Sequence, residues 1–372
     1  MRDFRYVKQV MEGFLADGPR GCSCSIHLNN EKVFEECVGY ADFEKKKPIT
    51  PKTIFRIFSM TKSVTSVAAL MLYDRGLLRI DEPLYKYLPF FKNMRICHVA
   101  DNGIISTMPA ANYILVRDLM KMTSGIAYPE FNCVAGTRMQ RLEKEALKTK
   151  KDLTVMDLAE LIAKGPLSFE PGTHWLYGYS CEVLAALVER VSGETFSEFL
   201  KKELFGPLEM NDTSFKISEG KRDRLCVMYG QYQDSPYKIN TSRDNQYEPG
   251  YKHEAGGDGL LSTLGDIDRF AGMLCNGGIY DSVRILKDET IREMSNGHLS
   301  PAQHKDCDQE GWGYGVSVNP NPPGEFGWGG MAGTFYIVDQ RHKMTISYMQ
   351  NLSPNLYEGR KKLLRDAVYK CL

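Results

Sequence analysis

The sequence predicts an α/β protein of the α+β kind: an antiparallel sheet flanked by helices, built from both ends of the chain, plus a mostly helical inserted domain. Three observations carry this. Strand-like stretches open the chain after one helix, helical periodicity dominates from about 79 to 204, and strand signals return beyond 205. Strands segregated to the two ends, with helices between, specify one sheet whose faces helices cover. The sheet domain is therefore expected to comprise residues 1–78 and 205–372, and the helical domain residues 79–204. A chain of 372 residues has room for about two such domains.

Taken in order, Phe4, Val7, Val10, Met11, Phe14 and Leu15 lie on one face of a helix at the N-terminus. GCSCSIHL (21–28) and KVFEECVGYA (32–41) read as strands, joined by a hairpin turn at Asn29-Asn30. From Thr61 to Arg75 the residues Val64, Val67, Ala68, Met71 and Leu72 follow helical spacing, and Gly76 stops them. Further helices are expected over 116–122, 154–164, 181–193 and 195–205. The charged stretch RMQRLEKEALKTKKD (138–152) reads as a solvated helix or an insertion. Strands are expected over 224–232, 313–318, 333–339 and 343–350, with helices at 266–274, 287–295 and the C-terminal end. The polar stretch 236–254 reads as a surface loop.

Composition narrows the function. Apolar residues make up 42% and charged residues 25%, the balance of a soluble globular protein. Lys+Arg and Asp+Glu both number 47, so the formal charge is zero. That argues against nucleic-acid and membrane-surface partners, which call for a basic face. The N-terminus carries charges throughout and has no apolar signal-peptide core, and no apolar run of about 18 residues occurs. The ten cysteines are scattered with no CxxC pair, which fits reduced thiols and a cytoplasmic location. The seven histidines show neither HxxxH nor HxH spacing, so neither a metal nor a cofactor is expected.

The chemistry-bearing candidate is FSMTKSV (58–64), which places Ser59 and Lys62 three positions apart at the start of a helix. Such neighbours lie about 5–6 Å apart at Cβ, within reach of an amine-to-hydroxyl contact. A free serine is a poor nucleophile and needs a base, and a lysine serves only if burial and nearby positive charge lower its pKa. The flank Ile54, Phe55, Ile57, Phe58 supplies burial, and the helix start supplies backbone N–H groups. The same spacing recurs at Ser218/Lys221 and Ser235/Lys238, where a Gly or a Pro between the two residues breaks a helix. The plain alternative for Ser59 is a helix cap beside a surface lysine.

Two further stretches turn the balance. FEPGTHWLYGYSCEVLAALVERVSG (169–193) sets Tyr177 in a loop before a helix, and FGWGGMAGTFYIVD (326–339) sets a Gly-rich turn before a strand. In this order and at these separations the three stretches resemble the serine β-lactamase and penicillin-binding-protein superfamily. The branch they resemble most comprises the class C β-lactamase-like family VIII carboxylesterases and related acyltransferases. LMKMTSGI (119–126), AGGDGLLSTLGDIDRFAGMLCNGG (255–278) and GWGYGVSV (311–318) extend the likeness over roughly residues 20 to 350.

The resemblance implies a β-lactamase/transpeptidase-like fold and an acyl-enzyme mechanism. It makes Ser59 the acylated nucleophile, Lys62 its partner and Tyr177 the proton shuttle, with the choice of base between Lys62 and Tyr177 open. It gives the backbone N–H of Met331 as an oxyanion donor beside that of Ser59. Trp328, Gly329 and Gly330 stand where the family usually has Lys-Thr-Gly or His-Thr-Gly, as in its esterase and acyltransferase branch. An indole offers one neutral N–H and an apolar face, so an anchor for a substrate carboxylate is lost. Tyr179 replaces the asparagine of the family's Tyr-x-Asn, and with it the amide that orients acyl-amide substrates. Both departures favour small-molecule ester or acyl substrates over β-lactams and D-alanyl-D-alanine peptides. A conventional Ser-His-Asp hydrolase finds only Gly178-Tyr179-Ser180-Cys181-Glu182, which lacks the last glycine of the G-x-S-x-G elbow. A non-catalytic binding or sensor domain on the same scaffold is the remaining alternative.

Overall fold

The computed structural model describes residues 3–99, 104–130, 133–149, 152–232, 235–239, 242–320, 324–353 and 359–372. Helix α1 (Arg5–Phe14) is followed by strands β1 (Gly21–Leu28), β2 (Glu31–Asp42) and the short β3 (Lys47–Pro48). Helix α2 (Thr61–Asp74) follows, then α3 (Val134–Thr149), α4 (Val155–Ala163), α5 (Ser180–Ser192) and α6 (Leu264–Cys275). Strands β4 (Ser317–Asn319), β5 (Glu325–Gly329), β6 (Phe335–Asp339) and β7 (Met344–Gln350) complete the sheet, and α7 (Gly359–Tyr369) ends the chain. The seven strands run antiparallel in the order β4-β5-β6-β7-β1-β2-β3, so the first and last segments of the chain meet at the β1–β7 pair.

Local chemistry explains the N-terminal half-sheet. Asn29 and Asn30 take φ of 52° and 67°, the left-handed pair that a two-residue hairpin matched to strand twist requires. Strand β1 is buried on both faces and sorts its residues accordingly. Cys22, Cys24, Ile26 and Leu28 join Val7, Met11 and Phe14 of α1 and Leu364 and Val368 of α7 in one apolar layer. The alternate residue Ser25 points the other way, and its hydroxyl donates to the buried carboxylate of Asp268 on α6.

Helix α2 lies at the centre. Its residues from Thr61 to Leu72 are all buried, which is why its hydrophobic residues surround the helix rather than forming a stripe. Its polar members are bonded inward: Ser63 donates to the Gly315 carbonyl at 3.0 Å and Thr65 to the Gly256 carbonyl at 2.6 Å. One apolar cluster joins Val64 and Val67 of α2, Leu158 of α4, Val183 and Leu187 of α5, Ile267 of α6 and Val338 of β6. The helical segment and the sheet thus share a single core.

Several expectations need adjusting. The segment expected to be mostly helical also holds a β-ribbon, Arg95–Val99 paired with Ile105–Pro109. The stretch 313–318 is strand only from Ser317, because Gly315 turns the chain at φ 72°. In 224–232 the strand is confined to Tyr229–Tyr232. The charged stretch is helical over 138–149 as part of α3, which begins earlier, at Val134, and buries Ala135 and Met139. Among the described residues no helix is long and apolar enough to cross a membrane.

Ile26, Ile346 and Ile337 stand side by side across β1, β7 and β6, each at most 2% exposed. Truncating the middle one opens a cavity between two neighbours that the sheet holds in place. Ile346→Ala is expected to cost about 2–5 kcal/mol of unfolding free energy, read by urea denaturation.

Candidate active site

Ser59 sits on a single 3-10 turn, Phe58–Met60, that runs directly into α2. Phe58 adopts φ 43°, a conformation that costs a bulky residue on the order of 1–3 kcal/mol. Its side chain is fixed against Met228 and Ala332. The turn is braced from the sheet as well: the Thr334 hydroxyl donates to the Ile57 carbonyl at 3.3 Å, and Gly330 packs against the same carbonyl. A Cβ at Gly330 would lie 2.3 Å from that oxygen, so the close approach of strand and nucleophile turn demands glycine there. Strand β4 pairs with Gly327 but not beyond it, so Trp328 and Gly329 form a free edge facing the cavity.

Lys62 is fully buried one helical turn from Ser59. Its Nζ donates to Ser59 Oγ at 3.1 Å and to the Gly257 carbonyl at 2.8 Å, and the rings of Tyr128 and Tyr177 face it with centroids at 5.4 and 4.7 Å. Two oxygens and two phenol rings therefore surround an ammonium that has three N–H groups. Burial by itself would lower the lysine pKa, but the phenols of Tyr128 and Tyr177 outweigh it and hold the group well above its usual value. Of the two bases left open by the sequence, a lysine base requires a lowered pKa. The described residues bring no second cation against Lys62 to lower it, and the direction is the opposite. Tyr128 is itself pushed well above the ordinary phenol range by burial, which the Lys62 charge only partly offsets.

Tyr177 is half-buried at the start of α5, with its ring 4.7 Å from Lys62 Nζ. Trp328 Nε1 donates to the Tyr177 hydroxyl at 3.2 Å. The single indole donor of the Trp-Gly-Gly segment is thus directed at a protein oxygen. Trp175, Tyr177, Trp312 and Trp328 stack as one aromatic group, with Trp312 and Trp328 edge-to-face at 4.6 Å. Among the described residues no acceptor takes the backbone N–H of Ser59 or of Met331. Met331 itself is 48% exposed at the cavity rim.

These groups open on a cavity of about 920 Å³. Ser59, Tyr177, Tyr179, Trp328, Gly329 and Met331 all line it, so the structure brings together every candidate residue except Gly330, which braces the turn from behind, and Lys62, which lies beneath Ser59. Tyr179 turns inward: its ring meets Tyr128 at 4.8 Å and its hydroxyl bonds Glu143 of α3. The charged stretch read as merely solvated therefore supplies one cavity wall, through Glu143 and Leu147. Five carboxylates reach the lining, from Glu130, Glu143, Glu182, Asp258 and Asp308, and among the lining residues there is no Lys or Arg. Burial, together with neighbouring Glu130 and Glu182, pushes the Glu143 carboxyl up, against the bond from Tyr179.

The rivals are placed elsewhere. Ser180 is fully buried and shares a 2.8 Å hydrogen bond with Ser124, with no histidine in its hydrogen bonds. Ser218 precedes a short helix, Glu219–Arg222, that forms despite Gly220, and Lys221 is drawn away to the Asn211 carbonyl at 2.6 Å. Ser235 and Lys238 lie on a strand of a two-stranded ribbon. Sequence reasoning missed Tyr128, which stands two residues beyond a stretch that carried the family likeness, and also Glu182 and His253. Nothing in periodicity marks them, since their partners come from remote segments.

The Beta-lactamase family profile matches residues 7–369. Esterase EstB of Burkholderia gladioli is 27% identical over 94% of this chain and 90% of its own length. Among solved structures, EstCE1, described as a hydrolase with promiscuous acyltransferase activity, superposes with a TM-score of 0.83 at 23% identity, covering 98% of each chain. Simvastatin synthase LovD from Aspergillus terreus gives 0.83 at 18% identity, covering 100% of this chain and 97% of its own. The chain belongs to the beta-lactamase family, whose members are serine hydrolases that include esterases, acyltransferases and β-lactamases.

Proposed function

We propose that the protein is a serine esterase or acyltransferase that acts on carboxylic esters through an acyl-Ser59 intermediate. The observation that carries this reading is the 3.1 Å contact from Lys62 Nζ to Ser59 Oγ at the floor of a cavity that Tyr177 and Trp328 also line. An amine held protonated has no lone pair to receive the serine proton. Tyr177 is then the base. Lys62 and the Trp328 N–H stabilise its phenolate, and the phenol returns the proton to the leaving alkoxide.

Ser59 Oγ loses its proton to Tyr177 and bonds the ester carbonyl carbon. The oxyanion rests on the N–H groups of Ser59 and Met331. The ester C–O bond breaks and the alcohol leaves with the proton from Tyr177. Water or a second alcohol then gives a proton to Tyr177 and attacks the acyl carbon, the bond from that carbon to Ser59 Oγ breaks, and Tyr177 returns the proton to Oγ. Lys62 stays charged throughout.

The cavity's charge supports esters over β-lactams. Its lining offers carboxylates and aromatic rings and neither Lys nor Arg, so a substrate carboxylate finds repulsion in place of an anchor. Turnover of short p-nitrophenyl esters is expected to exceed that of a chromogenic cephalosporin, and a faster cephalosporin rate would reverse the ranking. Ser59→Ala is expected to lower kcat by about 10⁴–10⁶, the range of nucleophile removals. Tyr177→Phe is expected to lower kcat by about 10²–10⁴, as loss of a proton-transfer group does. Full activity in Tyr177→Phe would remove it from the mechanism. A folded protein that takes no fluorophosphonate label at Ser59 would be a binding domain instead.

A further inference from the structure

Behind Lys62 lies a turn that the mechanism above leaves unexplained. Gly256 and Gly257 pass between α2 and α5, and all four of their backbone polar groups are taken by side chains of those helices. Glu182 of α5 accepts both N–H groups, Gly256 on Oε2 and Gly257 on Oε1, each at 2.9 Å. Thr65 and Lys62 of α2 donate to the two carbonyls, at 2.6 and 2.8 Å. Neither glycine has room for a side chain. A Cβ on Gly256 would lie 2.4 Å from the Cys181 carbonyl, and one on Gly257 would lie 2.7 Å from Glu182 Oε1 and 3.4 Å from Lys62 Nζ. Glu182 is 3% exposed, and its other contact is His253 Nε2 at 3.4 Å.

Burying a carboxylate costs several kcal/mol unless bonds and an opposite charge compensate it. Here two backbone N–H groups meet it on one side, and across a single peptide the buried ammonium of Lys62 completes the pair. A peptide whose N–H points at a carboxylate has a more polarised carbonyl, which strengthens its bond to the amine. We propose that Glu182, itself paired with His253, is a positioning residue of this site: through the Gly256–Gly257 turn it fixes the Lys62 amine against Ser59 and adds a buried negative charge that, beside the phenols of Tyr128 and Tyr177, favours the protonated amine. The inference rests on the acyl-Ser59 reading and assigns Glu182 no contact with substrate.

The groups around the pair are few. Tyr128, Tyr177 and Cys181 face Lys62 from the 128 loop and the start of α5, and the Cys181 thiol is pushed up to about 12 by burial. His253 faces Glu182, with Asp258 and Lys216 acting on His253 in turn. The Glu182 carboxyl is held below its usual value because the bond and charge of His253, the Gly257 N–H and Lys62 together overcome its burial. It is therefore ionised across the working range. Removing its charge disfavours the ammonium, so the Lys62 proton leaves at lower pH and activity falls off earlier on the alkaline side.

The experiment compares pH profiles of kcat/KM on a p-nitrophenyl ester for wild type, Glu182→Gln, Glu182→Asp and Thr65→Val, with thermal melts to verify folding. Glu182→Gln is expected to lower kcat by about 10–100-fold with little change in KM, and to move the alkaline limb down by about one pH unit, the size of shift a lost neighbouring charge produces. Glu182→Asp keeps the charge, and Thr65→Val loosens the same turn without touching charge. Both are expected to lower kcat while leaving the limb where wild type has it. A limb unmoved in Glu182→Gln, or moved equally in Thr65→Val, would overturn the assignment. Should Glu182→Gln not fold, a moved limb in Glu182→Asp overturns it and an unmoved limb with lowered kcat supports it. Fluorophosphonate labelling of wild type separates the two levels. An unlabelled Ser59 defeats the esterase reading and this one together, whereas a labelled wild type with an indifferent Glu182→Gln defeats this one alone.

Discussion

A fully buried ammonium is the constraint on which this site depends. Lys62 is shut off from bulk water, so its charge must find partners inside the protein. The nucleophile on the same helix and the Gly257 peptide supply oxygens, and the rings of Tyr128 and Tyr177 close over the amine at 5.4 and 4.7 Å. Three remote segments are thus registered against each other by one side chain. The strain at Phe58 and the glycines at 256, 257 and 330 follow from the same demand, because backbone must come close to the helix that carries the charge. Removing any one acceptor leaves a charged donor unpaired in the interior, which costs far more than an ordinary surface bond.

The sequence disclosed what is encoded locally. The Asn-Asn hairpin, the apolar face of the first helix and the Ser59–Lys62 spacing are each written within a few residues, and each stands in the structure at those positions. Trp328 to Met331 were legible for a different reason: the family resemblance, rather than any local pattern, set this Gly-rich turn beside the nucleophile. What stayed hidden depends on long-range encounter. Glu143 sits in a strongly charged helix, and only its bond to Tyr179 distinguishes it from its solvated neighbours. Tyr128, one of twenty tyrosines, gains its position from a lysine in another segment. The choice of base between Lys62 and Tyr177 stayed open because burial was visible in the flanking residues, whereas the phenols that reverse its effect on Lys62 were not. The ribbon of Arg95–Val99 and Ile105–Pro109 escaped because it lies in a stretch of the sequence where helical periodicity dominates.

The departures from the family's usual motifs are mutually consistent. Replacing a cationic or imidazole side chain by Trp328 removes an anchor for a substrate carboxylate, and the lining then carries carboxylates of its own. At an effective dielectric of 20, two like charges about 6 Å apart repel by about 3 kcal/mol, a factor above one hundred in binding. A single such encounter in the cavity outweighs the hydrogen bond that a β-lactam carbonyl would recover from Tyr179. The indole N–H, freed from substrate recognition, donates to Tyr177 and complements the charge of Lys62 on the far side of the same phenol. One substitution thus acts twice: it turns the cavity away from anionic substrates, and it supplies the phenol with a neutral donor on its other side from the Lys62 charge.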